Sequence, residues 1–333
     1  MDKFKLGIIG AGYWATNIIK TLEEMNLKCV HVHDVSYHKL LQIKKKFKNV
    51  HIYKDENKFF SKIKNVIVVT PPSTHYELTK KCFNKQLNVF LEKPATLNSL
   101  HLKKLHSISK NINKIFMVGY IYNFNVYIDY IKKILIRKKL GKIKHISFQR
   151  LNLGPVRNDN SCFWDLSSHD LSTLIYITKA KPRVDLVNGY SFLKKKILDV
   201  GTIFLTYGDV KVEIKSSWLN PEKIRKIIIV GEKKMLLFNE MNLKNPITIY
   251  DQYASYPKID KFKKSFFTPT ANIYYGKTFS PKIMFKAPLR SELSYFLKII
   301  STKSEDISKN IKNSSSHALQ VHALLEQVDK KLS

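Results

Sequence analysis

The sequence predicts two domains: an α/β domain on a doubly wound parallel sheet over residues 1–119, and an α+β domain with a mostly antiparallel open sheet over residues 120–333. The chain has 333 residues, enough for two domains of about 150 residues each. Apolar runs alternate with helical patterns in the first third, as βαβ units require. Later runs alternate apolar and polar residues, as in a sheet with one wet face. The terminal helix is a candidate to pack back on the first domain.

The parallel sheet is predicted from six short apolar runs, each ending at a turn or a polar residue. The first run ends in glycines, and the fourth is β-branched and stopped by Thr-Pro-Pro. The predicted strands cover 6–9, 29–33, 50–53, 66–69, 87–91 and 115–118. Apolar residues at helical spacing predict the helices between them, at 13–25, 38–46, 75–84 and 100–109.

The sequence pattern in the second half of the chain predicts a domain of a different architecture from the first. Residues 210–216 alternate strictly, which is typical of a strand with one wet face. Because Pro257, Pro269 and Pro281 interrupt it, the stretch 251–287 is expected to be irregular. An uncovered sheet face favours a homo-oligomer, a dimer or tetramer formed through this sheet. The remaining predicted helices cover 126–139, 163–178, 289–301 and 315–332, and the other strands 143–151, 202–207, 226–230 and 235–238.

Composition narrows the class of protein. The formal net charge is +32, but it comes from 52 lysines and only 6 arginines, spread along the chain. Because recognition of phosphate and guanine favours arginine, the scarcity of arginine argues against a nucleic-acid surface. The positive electrostatic field of the lysines would instead attract anionic substrates. No run reaches the roughly 20 apolar residues of a membrane span. Three cysteines without a C-x-x-C pattern predict no disulfide framework and no metal site, and fit a cytoplasmic protein.

A dinucleotide motif follows the first predicted strand. Residues 10–15 match G-x-G-x-x-A: Gly10 permits the tight turn, Gly12 lets the backbone approach a pyrophosphate, and Ala15 allows close helix packing. The pyrophosphate would lie at the helix N-terminus. Asp34 lies 24 residues after Gly10, where a carboxylate accepts from the adenosine ribose and favours NAD over NADP. A plain turn cap is the alternative role for Asp34, and residues 37–39 leave NADP open.

Six short motifs occur in order along the chain: Gly7 to Trp14, Thr70-Pro71-Pro72-Ser73-Thr74-His75, Glu92-Lys93-Pro94, Val118-Gly119-Tyr120, Asp165 to Asp170 and Pro288 to Glu292. Taken together, they resemble the Gfo/Idh/MocA oxidoreductases, the glucose–fructose oxidoreductase and inositol dehydrogenase family, from residue 4 to about 330. The segment 152–157 followed by Trp164-Asp165 resembles the nucleotide-sugar branch of that family, that of UDP-N-acetylglucosamine and glucosaminuronate 3-dehydrogenases. The chain departs from the family at residues 123–126, where arginine and proline are common.

The resemblance implies a Rossmann domain, an NAD cofactor and oxidation of the C3 hydroxyl of a nucleotide-linked sugar in surface-polysaccharide synthesis. A free polyol, inositol or hexose dehydrogenase, an NADPH-dependent keto-sugar reductase, and a dinucleotide-binding regulator remain alternatives. The residues expected to contact the cofactor are Gly10, Gly12, Tyr13, Trp14, Asp34, Thr70, Pro71, His75, Glu92 and Lys93.

Three residues are candidates for the chemistry. His169 suits proton transfer near neutral pH, and Asp165 shares its face of a predicted helix at i, i+4. Lys93 follows the fifth strand, at the sheet edge where ligands bind, and would donate to the reacting oxygen. The alternatives are a structural histidine, a helix-terminal carboxylate and a surface lysine. Asn152, Arg157 and Asp165 are the expected substrate contacts, with a plain surface charge as the alternative for Arg157.

Overall fold

The computed structural model describes residues 4–27, 29–157, 160–256, 271–302 and 311–332. The chain divides into two compact units. The first comprises Met1–Asn125 with Phe285–Glu326, and the second Val126–Met284 with Gln327–Ser333. The first unit therefore includes a late part of the chain, Phe285–Glu326, which follows most of the second unit in sequence.

The first unit contains a six-stranded parallel sheet in the order β3-β2-β1-β4-β5-β6. The order reverses between β1 and β4, which is the switch point at which doubly wound sheets bind ligands. The predicted parallel sheet is confirmed, and the predicted strand bounds agree with the observed ones to within one residue. The strands are β1 (Leu6–Ile9), β2 (Val30–His33), β3 (Val50–Tyr53), β4 (Asn65–Val68), β5 (Asn88–Glu92) and β6 (Phe116–Gly119).

Five helices accompany these strands. One of them, α3, was not predicted, because five residues are too few to show a helical period. The Asp55 carboxylate caps it by accepting the N–H groups of Asn57 at 2.8 Å and Lys58 at 3.1 Å, and Phe59 and Phe60 are buried. The helices are α1 (Tyr13–Glu24), α2 (Tyr37–Lys46), α3 (Glu56–Phe60), α4 (His75–Asn84) and α5 (Ser99–Asn111).

The second unit contains an eight-stranded sheet that is antiparallel except where β7 and β10 pair in parallel. Along β10 the predicted alternation is observed: Val212 and Ile214 are buried, while Lys211 and Lys215 are exposed. The elements are α6 (Val126–Ile136), β7 (Ile143–Leu153), α7 (Ser168–Thr178), β8 (Arg183–Tyr190), β9 (Val200–Tyr207), β10 (Val210–Ser217), β11 (Leu219–Gly231), β12 (Met235–Asn239), β13 (Ile247–Ser255) and β14 (Asn272–Phe279).

The prediction of an irregular stretch over 251–287 is wrong for residues 251–255 and 272–279, which lie in strands, whereas residues 280–287 are irregular as predicted. Residues 272–279 form the edge strand β14, which pairs antiparallel with β13. Nearly every residue of β14 is exposed, so it has no apolar alternation to detect. Pro281 lies just beyond the strand, and Pro257 and Pro269 lie outside the described residues.

Two features of the helices differ from simple expectation. The predicted helix over 163–178 begins with a turn of π-helix, Phe163–Ser167, before α7 starts. The last two helices are α8 (Pro288–Ser301) and α9 (Ser315–Leu332), and the division between the units falls within α9. In the described ranges no helix combines the length and the apolar character that crossing a bilayer requires.

Candidate active site

The turn after β1 has the geometry of a pyrophosphate cradle. Gly10 adopts a φ of +109°, and a Cβ there would lie 2.8 Å from the Val69 carbonyl oxygen, so only glycine fits. A Cβ on Gly12 would meet no atom within 4 Å, so open space lies beside the backbone. Gly12 is also the N-cap of α1, and no side chain caps this helix end. Free N–H groups at a helix N-terminus bind anions, so these residues fit a dinucleotide pyrophosphate.

Asp34 supports this turn from the end of β2. One carboxylate oxygen accepts the Ala11 N–H at 2.8 Å, and the other accepts the Ser36 N–H at 2.7 Å. The proposed turn cap and the proposed ribose contact are therefore compatible, because each carboxylate oxygen has a second lone pair. Asp34 remains half-buried at the edge expected for an adenosine ribose.

Glu92 connects the glycine turn with the turn that carries Lys93. Its Oε1 accepts the Trp14 indole N–H at 2.6 Å, and its Oε2 accepts the Lys93 backbone N–H at 3.1 Å. A Cβ on Gly119 would lie 2.9–3.0 Å from the Glu92 carboxyl atoms, so glycine at 119 makes room for this group. Burial raises the pKa of Glu92 to about 7, against the Trp14 hydrogen bond and the Lys93 charge, which lower it.

The loop after β4 is held in place by His75. Its ring is fully buried, with Nδ1 2.9 Å from the Pro94 carbonyl oxygen and Nε2 2.8 Å from the Thr70 carbonyl oxygen. Burial lowers the pKa of His75, although these carbonyl groups favour the charged form. The ring has no exposed surface and positions two loops, and the expected contact between His75 and the cofactor stays a prediction. In this loop Thr70 is half-buried and Pro71 is exposed, and Tyr13 is 80% exposed beside the glycine turn.

In the second unit, Asp165 lies in the π-helical turn before α7. The Trp218 indole N–H donates to its Oδ2 at 3.3 Å, and Arg157 Nε lies 3.8 Å from its Oδ1. Both Asp165 and Trp218 are buried. The predicted i, i+4 relationship between Asp165 and His169 assumed an unbroken α-helix, and the π-helical turn changes that spacing.

His169 is half-buried in the first turn of α7, next to a buried ion pair. The Asp170 carboxylate accepts from Arg150 Nε at 2.9 Å and from Nη2 at 2.6 Å. Ser167, the last residue of the π-helical turn, and Ser216 of β10 share a hydrogen bond of 2.8 Å. These contacts fix the start of α7, and with it His169, against the sheet.

Of the expected substrate residues, Arg157 keeps half of its side chain exposed. The Asn152 amide is used within the protein: its Oδ1 accepts from Arg225 Nη2 at 2.5 Å, and its Nδ2 donates to the Gly154 carbonyl oxygen. Asn152 therefore shapes the loop over 152–157, and its substrate contact stays a prediction. Burial raises the pKa of Cys162 to about 12, so this thiol is no nucleophile at neutral pH.

Two other features bear on cofactors. Within the described ranges no cluster of three or more His, Cys, Asp or Glu side chains is placed to hold a metal ion. A cavity of about 610 Å³ opens at the opposite, amino-terminal edge of the parallel sheet. Its rim includes Lys5, Lys64, Lys85 and Lys114. It lies away from the carboxyl-terminal edge that carries the glycine turn.

The sequence of the first unit matches a known family. Residues 4–120 match the GFO_IDH_MocA family, described as "Oxidoreductase family, NAD-binding Rossmann fold". This match confirms the predicted resemblance and the NAD-binding Rossmann fold of residues 4–120.

Two curated relatives of this protein match a longer part of the chain. It is 23% identical over 212 residues to a myo-inositol 2-dehydrogenase of Thermotoga maritima, covering 60% of this chain and 62% of the relative. It is 24% identical over 191 residues to a UDP-N-acetylglucosamine 3-dehydrogenase of Acidithiobacillus ferrooxidans, covering 57% of this chain and 59% of that one. These matches span about three-fifths of the curated relatives. The solved structure of the latter enzyme, GnnA, has a TM-score of 0.79 at 18% identity over 98% of this chain and 96% of GnnA, which shows a shared fold.

Sequence reasoning missed several residues that organise the site. Trp218 orients Asp165, Arg150 binds Asp170, and Glu292 lies buried on α8. Trp218, between β10 and β11, and Arg150, on β7, are distant in sequence from their partners, so no local pattern could reveal them. Glu292 lies in the predicted motif Pro288 to Glu292, but nothing in the sequence indicated that its side chain is fully buried.

Proposed function

We propose that this protein is an NAD-dependent oxidoreductase that transfers a hydride between nicotinamide and a secondary alcohol, at C3, of a nucleotide-linked sugar. The proposal includes a role in making sugars for surface polysaccharides. The observation that carries it is the uncapped N-terminus of α1 beyond Gly12, with Asp34 at the end of β2. The relative that acts on UDP-N-acetylglucosamine supports the choice of substrate.

When bound, the nicotinamide ring would accept or donate the hydride. The N–H groups at the start of α1 would bind the pyrophosphate, and Asp34 would accept from the ribose hydroxyl groups. Lys93 donates to the substrate oxygen and stabilises the charge that develops there during oxidation. His169 takes the hydroxyl proton at a ring nitrogen and returns it when the reaction runs in reverse. Asp165, oriented by Trp218, binds a sugar hydroxyl group.

Arg157 is the proposed anchor for the nucleotide part of the substrate. Its guanidinium is half-exposed, and its ion pair with Asp165 is long, at 3.8 Å. A guanidinium binds a diphosphate or a uronate carboxylate through two parallel hydrogen bonds. Arg157→Ala should therefore raise KM for a UDP-sugar much more than it lowers kcat.

A second candidate substrate is a free inositol, which the match to a myo-inositol 2-dehydrogenase favours. Both candidates present a secondary alcohol on a six-membered ring. Inositol carries no diphosphate, so Arg157→Ala would leave KM for inositol nearly unchanged. Initial rates with NAD on UDP-N-acetylglucosamine, its uronate, myo-inositol and scyllo-inositol distinguish the two candidates.

The decisive experiment compares wild type with His169→Gln in NAD-dependent turnover of the best substrate in that panel. Loss of a positioned acid–base group should lower kcat by roughly two to four orders of magnitude. His145→Gln is the matched control, because this half-buried histidine of the same unit lies on β7, outside the proposed site. Undiminished turnover in His169→Gln removes His169 from the mechanism, and failure of wild type to bind NADH removes the oxidoreductase proposal itself.

We also propose that the protein forms a homo-oligomer through its eight-stranded sheet. Leu186 and Phe204 face each other on β8 and β9 and are 53% and 37% exposed. An exposed apolar cross-strand pair on a sheet face favours association with a second copy. Sedimentation of wild type and of Phe204→Lys tests this, and a monomeric wild type at micromolar concentration contradicts it.

A further inference from the structure

Glu92 on β5 and Glu292 on α8 lie on two elements that pack against each other. The Phe90 and Phe296 rings pack edge to face, with centroids 5.6 Å apart, which sets α8 against this strand. Glu92 lies two residues after Phe90 and so shares its side of the strand. Glu292 lies four residues before Phe296 and so shares its side of the helix.

The direction of α8 brings these two carboxyl groups together. Ile300, near the end of α8, lines the cavity at the amino-terminal edge of the sheet beside Leu87, which precedes β5. The helix therefore runs antiparallel to β5, and its first turns lie at the carboxyl-terminal edge. Glu292 and Glu92 are thus both at that edge, on facing sides of adjacent elements.

The surroundings of Glu292 are poor in hydrogen-bond donors. Its side chain is fully buried, and neither carboxyl oxygen has a hydrogen-bond partner at ordinary distance among the described residues. Lys312, the cation near it, places its ammonium 4.6 Å from the centroid of the Phe124 ring. A buried carboxylate with so few donors is strongly disfavoured, so this environment favours the neutral acid.

Glu92 has the opposite surroundings. It accepts the Trp14 indole N–H and the Lys93 backbone N–H, and the Lys93 ammonium adds a favourable charge. Burial and the Glu92 carboxylate raise the pKa of Glu292 well above its ordinary value, against Lys312 and the Asn313 side chain, which lower it. Each carboxylate opposes the ionisation of the other, and the neutral form is favoured more strongly at Glu292, which has fewer hydrogen-bond donors around it.

We propose that half-buried Glu92 and fully buried Glu292 form an acid pair that retains one proton. In this pair, ionised Glu92 holds the Trp14 indole and the Lys93 turn in the arrangement that binds the nicotinamide dinucleotide. Both glutamates are positioning residues, and the inference rests on the proposed function only in placing the cofactor at this turn. As a carboxylate, Glu92 accepts both N–H groups in charge-assisted hydrogen bonds. Protonation turns one oxygen into a donor and a poorer acceptor, which weakens one of these contacts.

The acid pair can be tested by a pH titration of the protein alone, without cofactor or sugar. The emission of Trp14 should change as Glu92 titrates, with a midpoint near the Glu92 pKa of about 7. We would titrate the tryptophan emission of the full-length protein from pH 5 to pH 9 and repeat it in Trp14→Phe and Glu92→Gln. The transition should be present in wild type and absent from both variants. A transition that persists in Glu92→Gln, or none in wild type, overturns the pair.

Binding of NADH then tests the positioning role. In wild type the Kd should rise about fivefold from pH 8 to pH 6, because a charge-assisted hydrogen bond is replaced by a neutral one. In Glu92→Gln the affinity should be weak and independent of pH. If wild type titrates by fluorescence but binds no NADH at any pH, the proposed function fails and the acid pair stands.

The state of Glu292 is tested by Glu292→Gln, since glutamine mimics the protonated acid. This variant should keep the wild-type Tm at pH 7, the fluorescence midpoint and the NADH affinity. Glu77→Gln, an exposed glutamate in the same unit, controls for the change in net charge. A loss of Tm or of NADH affinity in Glu292→Gln, relative to Glu77→Gln, shows that Glu292 acts as a carboxylate and overturns the proposal.

Discussion

The Arg150 guanidinium binds the Asp170 carboxylate through two hydrogen bonds, from Nε at 2.9 Å and Nη2 at 2.6 Å, and both side chains are buried. The pair ties α7 to β7 one residue away from His169. Because an isolated buried charge is costly, Asp170→Ala should lower the free energy of unfolding by about 3–5 kcal/mol. Urea unfolding measures this loss.

The exposed pair of Lys142 and Asp209, 2.7 Å apart, is the matched control. Lys142→Ala should leave the free energy of unfolding unchanged within error, because water and salt screen both charges. If Asp170→Ala were as harmless as Lys142→Ala, the Arg150–Asp170 pair would not anchor α7.

The two glycines of the turn after β1 should respond differently to substitution. Gly12→Val should fold normally, because open space surrounds its Cβ position, yet weaken NADH binding by about tenfold or more by occupying the pyrophosphate space. Gly10→Ala should instead lose stability by about 1–3 kcal/mol, because its φ of +109° and the Val69 carbonyl oxygen exclude a side chain. Thermal unfolding and NADH titration of both variants separate the effects, and unchanged NADH affinity in Gly12→Val would contradict the cradle.

Asp34 should determine the choice between NAD and NADP. In Asp34→Ala the carboxylate that repels a 2′-phosphate is gone, so the ratio of kcat/KM with NAD to that with NADP should fall by about tenfold. Stability should also fall, because the N–H groups of Ala11 and Ser36 lose their acceptor. An unchanged ratio would leave Asp34 with its structural role alone.

Lys93 should affect turnover far more than stability. Lys93→Met keeps the length of the side chain and removes the ammonium, so kcat should fall by about two orders of magnitude or more while NADH still binds. Lys85→Met, an exposed lysine of the same unit, is the control and should match wild type. Steady-state rates with the best substrate provide the measurement, and equal rates in the two variants would exclude Lys93 from the chemistry.

His322 should make the protein sensitive to acid. Burial lowers the pKa of His322 to about 4. Between pH 6.5 and 4 the unfolded chain therefore binds a proton that the folded chain does not, so stability falls as the pH falls, by roughly 3 kcal/mol. His322→Leu should flatten this dependence in urea unfolding at pH 7 and pH 5, whereas the exposed His38→Leu should retain it.

The sequence predicted most of the parallel sheet because each strand is a continuous apolar run ended by glycine, proline or a polar residue. The five-residue α3 and the exposed edge strand β14 escaped prediction, since neither carries an apolar period. His75 was expected at the cofactor from its motif, but its ring is fully buried between two carbonyl groups. A motif locates a residue along the chain and does not reveal which way its side chain points.

By itself, the sequence determined the glycine turn, the acid after the second strand and the order of strands and helices, because these depend on neighbouring residues and backbone geometry. Only the tertiary structure decided that Trp14 and Lys93 share the Glu92 carboxylate, that Trp218 orients Asp165, and that Glu292 faces Glu92. Those contacts join elements far apart in the chain. The proton held by a buried carboxyl group depends on its distance from water and from other charges, which is fixed only when the elements pack.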